Sequence, residues 1–270
     1  MEVLICADES AVGALAAAAI AQVVRAKPDA TLGVATGASP MAVYAGLARL
    51  AAETGLDLTG TSAFALDEYV GLPVGHEQSY AEVIRTTVTE PLGLDPSRVH
   101  TPDGNAADLQ AAGPAYEALI ASAGGVDIQL LGIGRNGHIG FNEPTSSLGS
   151  PTRIKTLTEQ TRADNRRFFE SAEEVPHHCL TMGLGTIMRA RSIVLVAQGA
   201  HKAEAIAAAV EGPVTAMVPA SILQLHPDVT IIVDEAAATR LALASYYRET
   251  AHNKPLWQRL PVDIPPNPAR

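Results

Sequence analysis

Three short segments hold the residue types that acid–base chemistry on a small anionic substrate requires. GIGRNGHIGFNEP, residues 132–144, sets Asn136, His138 and Glu143 among glycines. A neutral imidazole takes or gives a proton near pH 7, and a nearby carboxylate fixes its tautomer and raises its basicity. A lone histidine in a loop is more often a turn cap than a catalyst. An amide, an imidazole and an acid packed into eight residues after an apolar run favour function. FALDEYVGL places Asp67 and Glu68 at the end of another apolar run. A carboxylate at a partly dry strand end suits removal of a carbon-bound proton, because desolvation raises its basicity. Neighbouring strand residues point to opposite faces, so one of the two acids should enter a site. TGASP, residues 36–40, offers helix-end N–H groups that can cradle a phosphate. It reads equally well as an ordinary helix start, with Ser39 as the cap before Pro40.

The 132–144 segment also contains a G-x-G-x-x-G, Gly132, Gly134 and Gly137, and Glu159 follows where a ribose-binding acid would stand. A dinucleotide loop, however, opens a long helix. Asn136, Gly137, Gly140, Asn142 and Pro144 crowd the span where that helix would run, and proline removes a helical hydrogen bond and clashes with the previous turn. The nicotinamide reading is therefore set aside. TGASP lacks the Lys-Ser/Thr ending of a nucleotide P-loop, which disfavours ATP and GTP.

The elements that must position these segments alternate. Strands are expected at Val3–Ala7, Thr31–Ala35, Thr61–Leu66, Val126–Ile133, Ser192–Ala197 and Val229–Val233. Helices are expected at Ser10–Ala26, Met41–Glu53, Ser79–Glu90, Ala106–Ser122, His201–Val210 and Glu235–Tyr247. Fully apolar strands suit a parallel sheet covered on both faces. The pattern is α/β, a three-layer sandwich with a mostly parallel, Rossmann-like sheet. One domain over residues 1–255 is expected, with a Pro-rich tail, LPVDIPPNPAR, within 256–270. In such sheets ligands bind beyond the carboxyl ends of the strands at a topological switch point, where all three segments can converge.

The chain has 270 residues, 47% of them hydrophobic, and a net charge of −10. No run of Lys or Arg marks a nucleic-acid footprint. Arg153, Lys155, Arg162, Arg166 and Arg167 cluster after the histidine loop, with Arg162 expected to be solvated, and Lys202 opens a later helix. His177 and His178 are adjacent, a poor chelating pair expected at the surface, and no other spacing suggests a metal site. Cys6 and Cys179 have no partner motif, so a reducing cytoplasm is the expected compartment. The apolar run Val12–Ile20 is too short for a bilayer span, so no membrane partner is expected.

Longer stretches resemble the glucosamine-6-phosphate deaminase family: LGVATGASP, FALDEYVGLP with HEQSY, LGIGRNGHIGFNEP, SPTRIKTLTEQTRADNRRF, LTMGLGTIM, and AVEGPVTAMVPASILQLHP with Asp234 and Glu235 following. They cover most of residues 31–240, and DEYVGLP together with GHIGFNEP is highly specific. The resemblance implies conversion of glucosamine 6-phosphate and water to fructose 6-phosphate and ammonia. It implies Asp67 as the base moving a proton between C2 and C1, and His138, supported by Glu143, as the group assisting ring opening. The family carries Asp or Asn at Asn136; the amide here is assigned an orienting hydrogen bond. The implied phosphate site is the backbone of Gly37, Ala38 and Ser39, with Arg167 and Lys202. Ala38 departs from the commoner TGGTP, which would tighten the loop's permitted angles. No metal or organic cofactor is implied, since the substrate's own carbonyl is the electron sink. Hexameric members bind N-acetylglucosamine 6-phosphate as an activator at positions matching Ser146, Arg153, Lys155 and Thr156. A homo-oligomer with that activator is therefore expected, although the family's effector-contacting tyrosine does not align cleanly near Tyr246–Arg248. Two rival readings are a 6-phosphogluconolactonase, whose pattern lacks FNEP, and a non-catalytic sugar-phosphate sensor, which should carry a DNA-binding module.

Overall fold

The computed structural model describes residues 1–255 together with 258 and 260. The proline-rich tail expected within 256–270 falls outside them except for Gln258 and Leu260. The elements run β1 (Glu2–Cys6), α1 (Glu9–Ala26), β2 (Thr31–Val34), α2 (Ala38–Thr54), β3 (Ser62–Ala65), β4 (Asp67–Tyr69) and α3 (Tyr80–Ile84). A π-helical stretch, Arg85–Thr89, leads into α4 (Glu90–Leu92). Then follow β5 (Val99–His100), α5 (Leu109–Ser122), β6 (Ile128–Leu131), β7 (Arg153–Thr156), α6 (Glu159–Asn165), β8 (His178–Thr181), α7 (Leu184–Ile187), β9 (Ser192–Ala197), α8 (Ala203–Val210), β10 (Val229–Asp234) and α9 (Ala244–His252).

Seven strands form one parallel sheet in the order β1-β10-β9-β6-β2-β3-β5. Alternate residues of its strands serve two different cores. Ile231 and Val233 of β10 join the core that holds residues of α5 and α8, and Ile232 joins the one built on α1 and α2. This is the α/β sandwich that continuous apolar runs require, since a strand covered on both faces has no polar side. From β2 the chain proceeds outward through β3 to β5; from β6 it proceeds the other way, to β9 and β10. The neighbours β2 and β6 therefore define the switch point, and their carboxyl ends open a crevice.

A second sheet was not foreseen. It has three antiparallel strands in the order β4-β8-β7, with Asp67 opposite Thr181 and Arg153 opposite the same residue on the other side. Other expectations are corrected. The helix placed at Glu235–Tyr247 is a run of turns followed by α9, because Asp234 accepts from Ala237 N and Glu211 accepts from Ala242 N and Leu243 N. The helix placed at Ala106 starts at Leu109, where Asp108 caps it. The helix α1 extends beyond Val12–Ile20 to 18 residues, long and apolar enough by composition to cross a membrane; half of it is buried, against α2 and the sheet.

Tyr44 of α2 fastens the end of β2. Its hydroxyl accepts from Ala35 N at 2.9 Å and donates to Ala35 O at 2.8 Å, all of it buried. Those backbone groups lie just past the last strand residue, where no ladder partner serves them. Tyr44→Phe should strand both and lower stability by about 1–3 kcal/mol, read by denaturant unfolding; an unchanged midpoint would count against this clip.

Candidate active site

A cavity of about 550 Å³ occupies the switch point. Its wall takes Gly37–Pro40 from the β2–α2 turn, Asp67 from β4, Gly132–Arg135 and His138 from the loop after β6, and Arg167, Gln198 and Lys202 from later segments. The three chemistry-bearing segments thus meet.

The turn after β2 overturns the reading of Ser39 in TGASP as a helix cap. Gly37, with φ of 100°, is the residue before the helix, and no side chain among the described residues caps α2. Ser39 lies inside the first turn and does not cap it. The helix-end N–H groups therefore open onto the cavity, at the positive end of a 17-residue helix. The left-handed angle falls on Gly37, and Ala38 begins the helix, so the departure from TGGTP does not strain the turn.

Asp67 and Glu68 part company, as alternating strand residues must. Glu68 turns away: its Oε1 accepts from Tyr69 N and Tyr80 N, and its Oε2 from Ala81 N at 2.8 Å. It caps α3 and is structural. Asp67 lines the cavity and is only 6% exposed. Burial, and secondarily the charge of Glu68, push its carboxyl up from 3.8 to about 8.

The loop after β6 is folded around His138. A side chain on Gly134 would strike the His138 ring at 2.4–2.5 Å. Gly140, at φ of +55°, leaves the space beside Thr181 Oγ1 and Asp67 Oδ2. Of the glycines in the dinucleotide-like spacing, Gly134 thus serves an imidazole, while Gly137 leaves room for Val218. Glu143 lies beneath it, 4% exposed, with Oε1 at 3.4 Å from His138 Nδ1. Asn136 Nδ2 donates to Glu143 Oε2 at 2.6 Å, and Asn136 Oδ1 accepts from His138 N. Thr161 Oγ1 donates to the other Glu143 oxygen. Burial alone would raise Glu143; the neighbouring His138 ring and the bonds from Thr161 and Asn136 outweigh it and hold the carboxyl at about 2. Immediately beyond, Thr145 takes a left-handed φ of 76°, held by its N–H on Ala216 O at 2.8 Å.

Lys202 Nζ donates to Ile133 O at 2.5 Å, so a cation of the cavity wall is attached to the same loop. Burial lowers its pKa, and so does Arg135. The expected effector residues lie apart from the cavity lining. Ser146 is buried, Arg153 donates to Asn142 Oδ1 at 2.7 Å, and Lys155 and Thr156 continue β7. Arg162 was expected to be solvated but is half-buried and holds Ala172 O and Val175 O.

Sequence reasoning overlooked Thr161, Arg135 and Thr181. Thr181 Oγ1 accepts from Phe141 N at 3.0 Å and ties the histidine loop to the strand opposite Asp67. Its position in LTMGLGTIM gave no chemical signal. Thr161 had one, in the capped helix start T-L-T-E-Q-T, but its partner is 18 residues distant.

A buried acid, an imidazole beside a carboxylate and a cation-lined helix end in one cleft are the parts of a sugar-phosphate enzyme. The chain belongs to the family described as glucosamine-6-phosphate isomerases/6-phosphogluconolactonase, whose model matches residues 8–232. A glucosamine-6-phosphate deaminase of Cutibacterium acnes is 63% identical over 250 residues, covering 93% of this chain and 96% of that one. One from Streptomyces coelicolor is 58% identical, covering 96% and 99%. Among solved structures, a monomeric glucosamine-6-phosphate deaminase superposes with a TM-score of 0.87 at 43% identity, over 89% of this chain and all of that one. A 6-phosphogluconolactonase of Trypanosoma brucei shares the fold, with a TM-score of 0.72 at 20% identity over 89% and 98%.

The raised pKa of Asp67 has a consequence for stability. A carboxyl with a folded value near 8 and an unfolded value near 3.8 holds more protons folded than unfolded between those limits. Stability therefore falls as pH rises through that window. Asp67→Asn should melt higher than the parent at pH 8, by a few kcal/mol at about 1.4 kcal/mol per tenfold in acidity. The two should converge at pH 4; a variant less stable than the parent at pH 8 would overturn the assignment.

Proposed function

We propose that this chain is an enzyme that converts glucosamine 6-phosphate and water to fructose 6-phosphate and ammonia. The observation that carries the reading is Asp67: a buried carboxyl facing a cleft whose far end is a helix terminus flanked by cations. The names of the relatives, at 53–63% identity over nearly the whole chain, support the same reaction.

His138 assists opening of the sugar ring, moving a proton between the ring oxygen and the anomeric hydroxyl. Glu143 orients the imidazole ring, while Asn136 and Thr161 fix Glu143. The aldehyde so exposed acidifies the C2 hydrogen. Asp67 takes that proton, leaving an enolamine, and returns a proton to C1. Water then adds to the C2 iminium and ammonia leaves. Backbone N–H groups of Gly37, Ala38 and Ser39, with Arg167 and Lys202, hold the phosphate ester. A lactone hydrolase would have no step that uses a C2 base. With two free, buried cysteines, Cys6 and Cys179, the cytoplasm is the compartment proposed.

Incubation with glucosamine 6-phosphate should release ammonia and fructose 6-phosphate in equal amounts, and 6-phosphogluconolactone should not be turned over. Asp67→Asn should lower turnover at least ~10²-fold, the range for a positioned acid–base group. Because the base acts ionised, kcat/KM should climb with pH to a plateau above about 8. Lactone hydrolysis without ammonia release would overturn the reading.

A regulatory layer is part of the proposal. Arg153 holds Asn142, the residue before Glu143, so an anion that drew Arg153 aside would disturb the carboxylate beneath His138. The proposed effector is N-acetylglucosamine 6-phosphate, engaging Ser146, Arg153, Lys155 and Thr156 in a homo-oligomer, with six subunits as the expected number. The structural relative at 43% identity is described as monomeric, so assembly is tested separately. Sedimentation should show an oligomer, substrate dependence should turn from sigmoidal to hyperbolic with the effector, and Lys155→Ala should abolish that response. A monomer indifferent to the effector would refute this layer alone.

A further inference from the structure

The loop that carries His138 also carries a cation with no assigned task. Arg135 lines the cavity between Gly134, against which the imidazole rests, and Asn136, which holds Glu143. Among the described residues, no hydrogen bond or ion pair engages its guanidinium, although the chain is rich in carboxylates. The acids near this end are committed elsewhere. Asp234 accepts from Gly199 N and Ala237 N, and Asp164 accepts from Gln160. Asp164, Asp234 and Glu9 line the same cavity, and Asp164 offsets part of the effect of Arg135 on Lys202. Arg135 acts on Lys202 more strongly than Arg167 does, and all three share the wall that includes the uncapped start of α2.

Three cations and an open helix start on one wall, with Asp164 and Asp234 already hydrogen-bonded, fit a multiply charged anion. Two of the attachments lead into one loop: Lys202 bonds Ile133 O, and Arg135 is the second residue after it. Arg167, by contrast, projects from the segment after α6 and stacks on Phe168.

We propose that Arg135 is a further ligand of the substrate phosphate and that, through it, phosphate binding fixes the loop that positions His138 and Glu143. This rests on the deaminase reading for the identity of the substrate, but the anion site itself does not. The phosphate, remote from C1 and C2, would thereby contribute to turnover as well as to affinity, by ordering the acid–base pair.

The test uses the full chain with inorganic phosphate as probe, then the sugar substrates. In calorimetric titration Arg135→Ala should bind phosphate roughly tenfold to a hundredfold more weakly, the range for charge-assisted hydrogen bonds, and Arg135→Lys should recover part of the loss. Equal affinity in parent and Arg135→Ala overturns the proposal. Arg135 is exposed, so unchanged melting should confirm that the variants fold. With glucosamine 6-phosphate, Arg135→Ala should lower kcat as well as raise KM, and added guanidinium should restore part of kcat. With unphosphorylated glucosamine, parent and variant should be equally slow. A rise in KM with kcat unchanged overturns the coupling to the loop and leaves only the binding role. A parent that releases no ammonia overturns the deaminase reading, while the phosphate titration still decides the anion site.

Discussion

Two carboxyl groups held in opposite protonation states govern this site. Asp67 is buried without a hydrogen-bonded partner among the described residues and is pushed up to about 8; Glu143 is as buried but bonded on both oxygens and held at about 2. Separating the acidity of two similar groups is how one fold performs acid and base steps at one pH. Much of the local architecture maintains that separation. The chain leaves the large sheet after β3, with Leu66 N bonded to Val34 O, and enters the small sheet at Asp67, with Met182 N bonded to Leu66 O. Asp67 therefore sits where two sheets meet, closed off from water except through the cleft. The small sheet supplies Thr181 opposite Asp67 to anchor the histidine loop.

The loop itself resolves a competition between polar groups and burial. Its irregular backbone lies deep enough that its N–H and C=O groups need partners, and it finds them internally: Gly134 N on His138 O, Gly137 N on Gly134 O, Ser146 N on Glu143 O. A helix after β6 would have satisfied those groups without placing an imidazole and a carboxylate face to face. Glycine at 134 makes room for a ring and glycine at 140 for the Thr181 hydroxyl, a different use of such residues from that of a dinucleotide loop.

The large sheet and the convergence of the three segments were readable because parallel strands are written as continuous apolar runs, each ending in polar residues. The small sheet was hidden. Its strands are three or four residues long, and one reads R-I-K-T, a pattern carrying as much charge as apolar surface. The Ala-rich stretch after β10 has strong helix propensity, and side-chain carboxylates from Asp234 and Glu211 override it by capping turns. Asp67 and Glu68 could be read as one inward and one outward, but not as which, since the answer depends on α3 presenting its first N–H groups to Glu68. Arg135 escaped notice because it stands alone in sequence; only the fold sets it beside Lys202.

The most direct measurement is a carboxyl-carbon NMR titration of the parent, with Asp67→Asn and Glu143→Gln used to assign the two signals. The account predicts one carboxyl titrating near pH 8 that disappears in Asp67→Asn, and another still ionised near pH 3 that disappears in Glu143→Gln. An Asp67 signal titrating near pH 4, as in a solvated aspartate, would contradict the claim that burial prepares this group to act as the base.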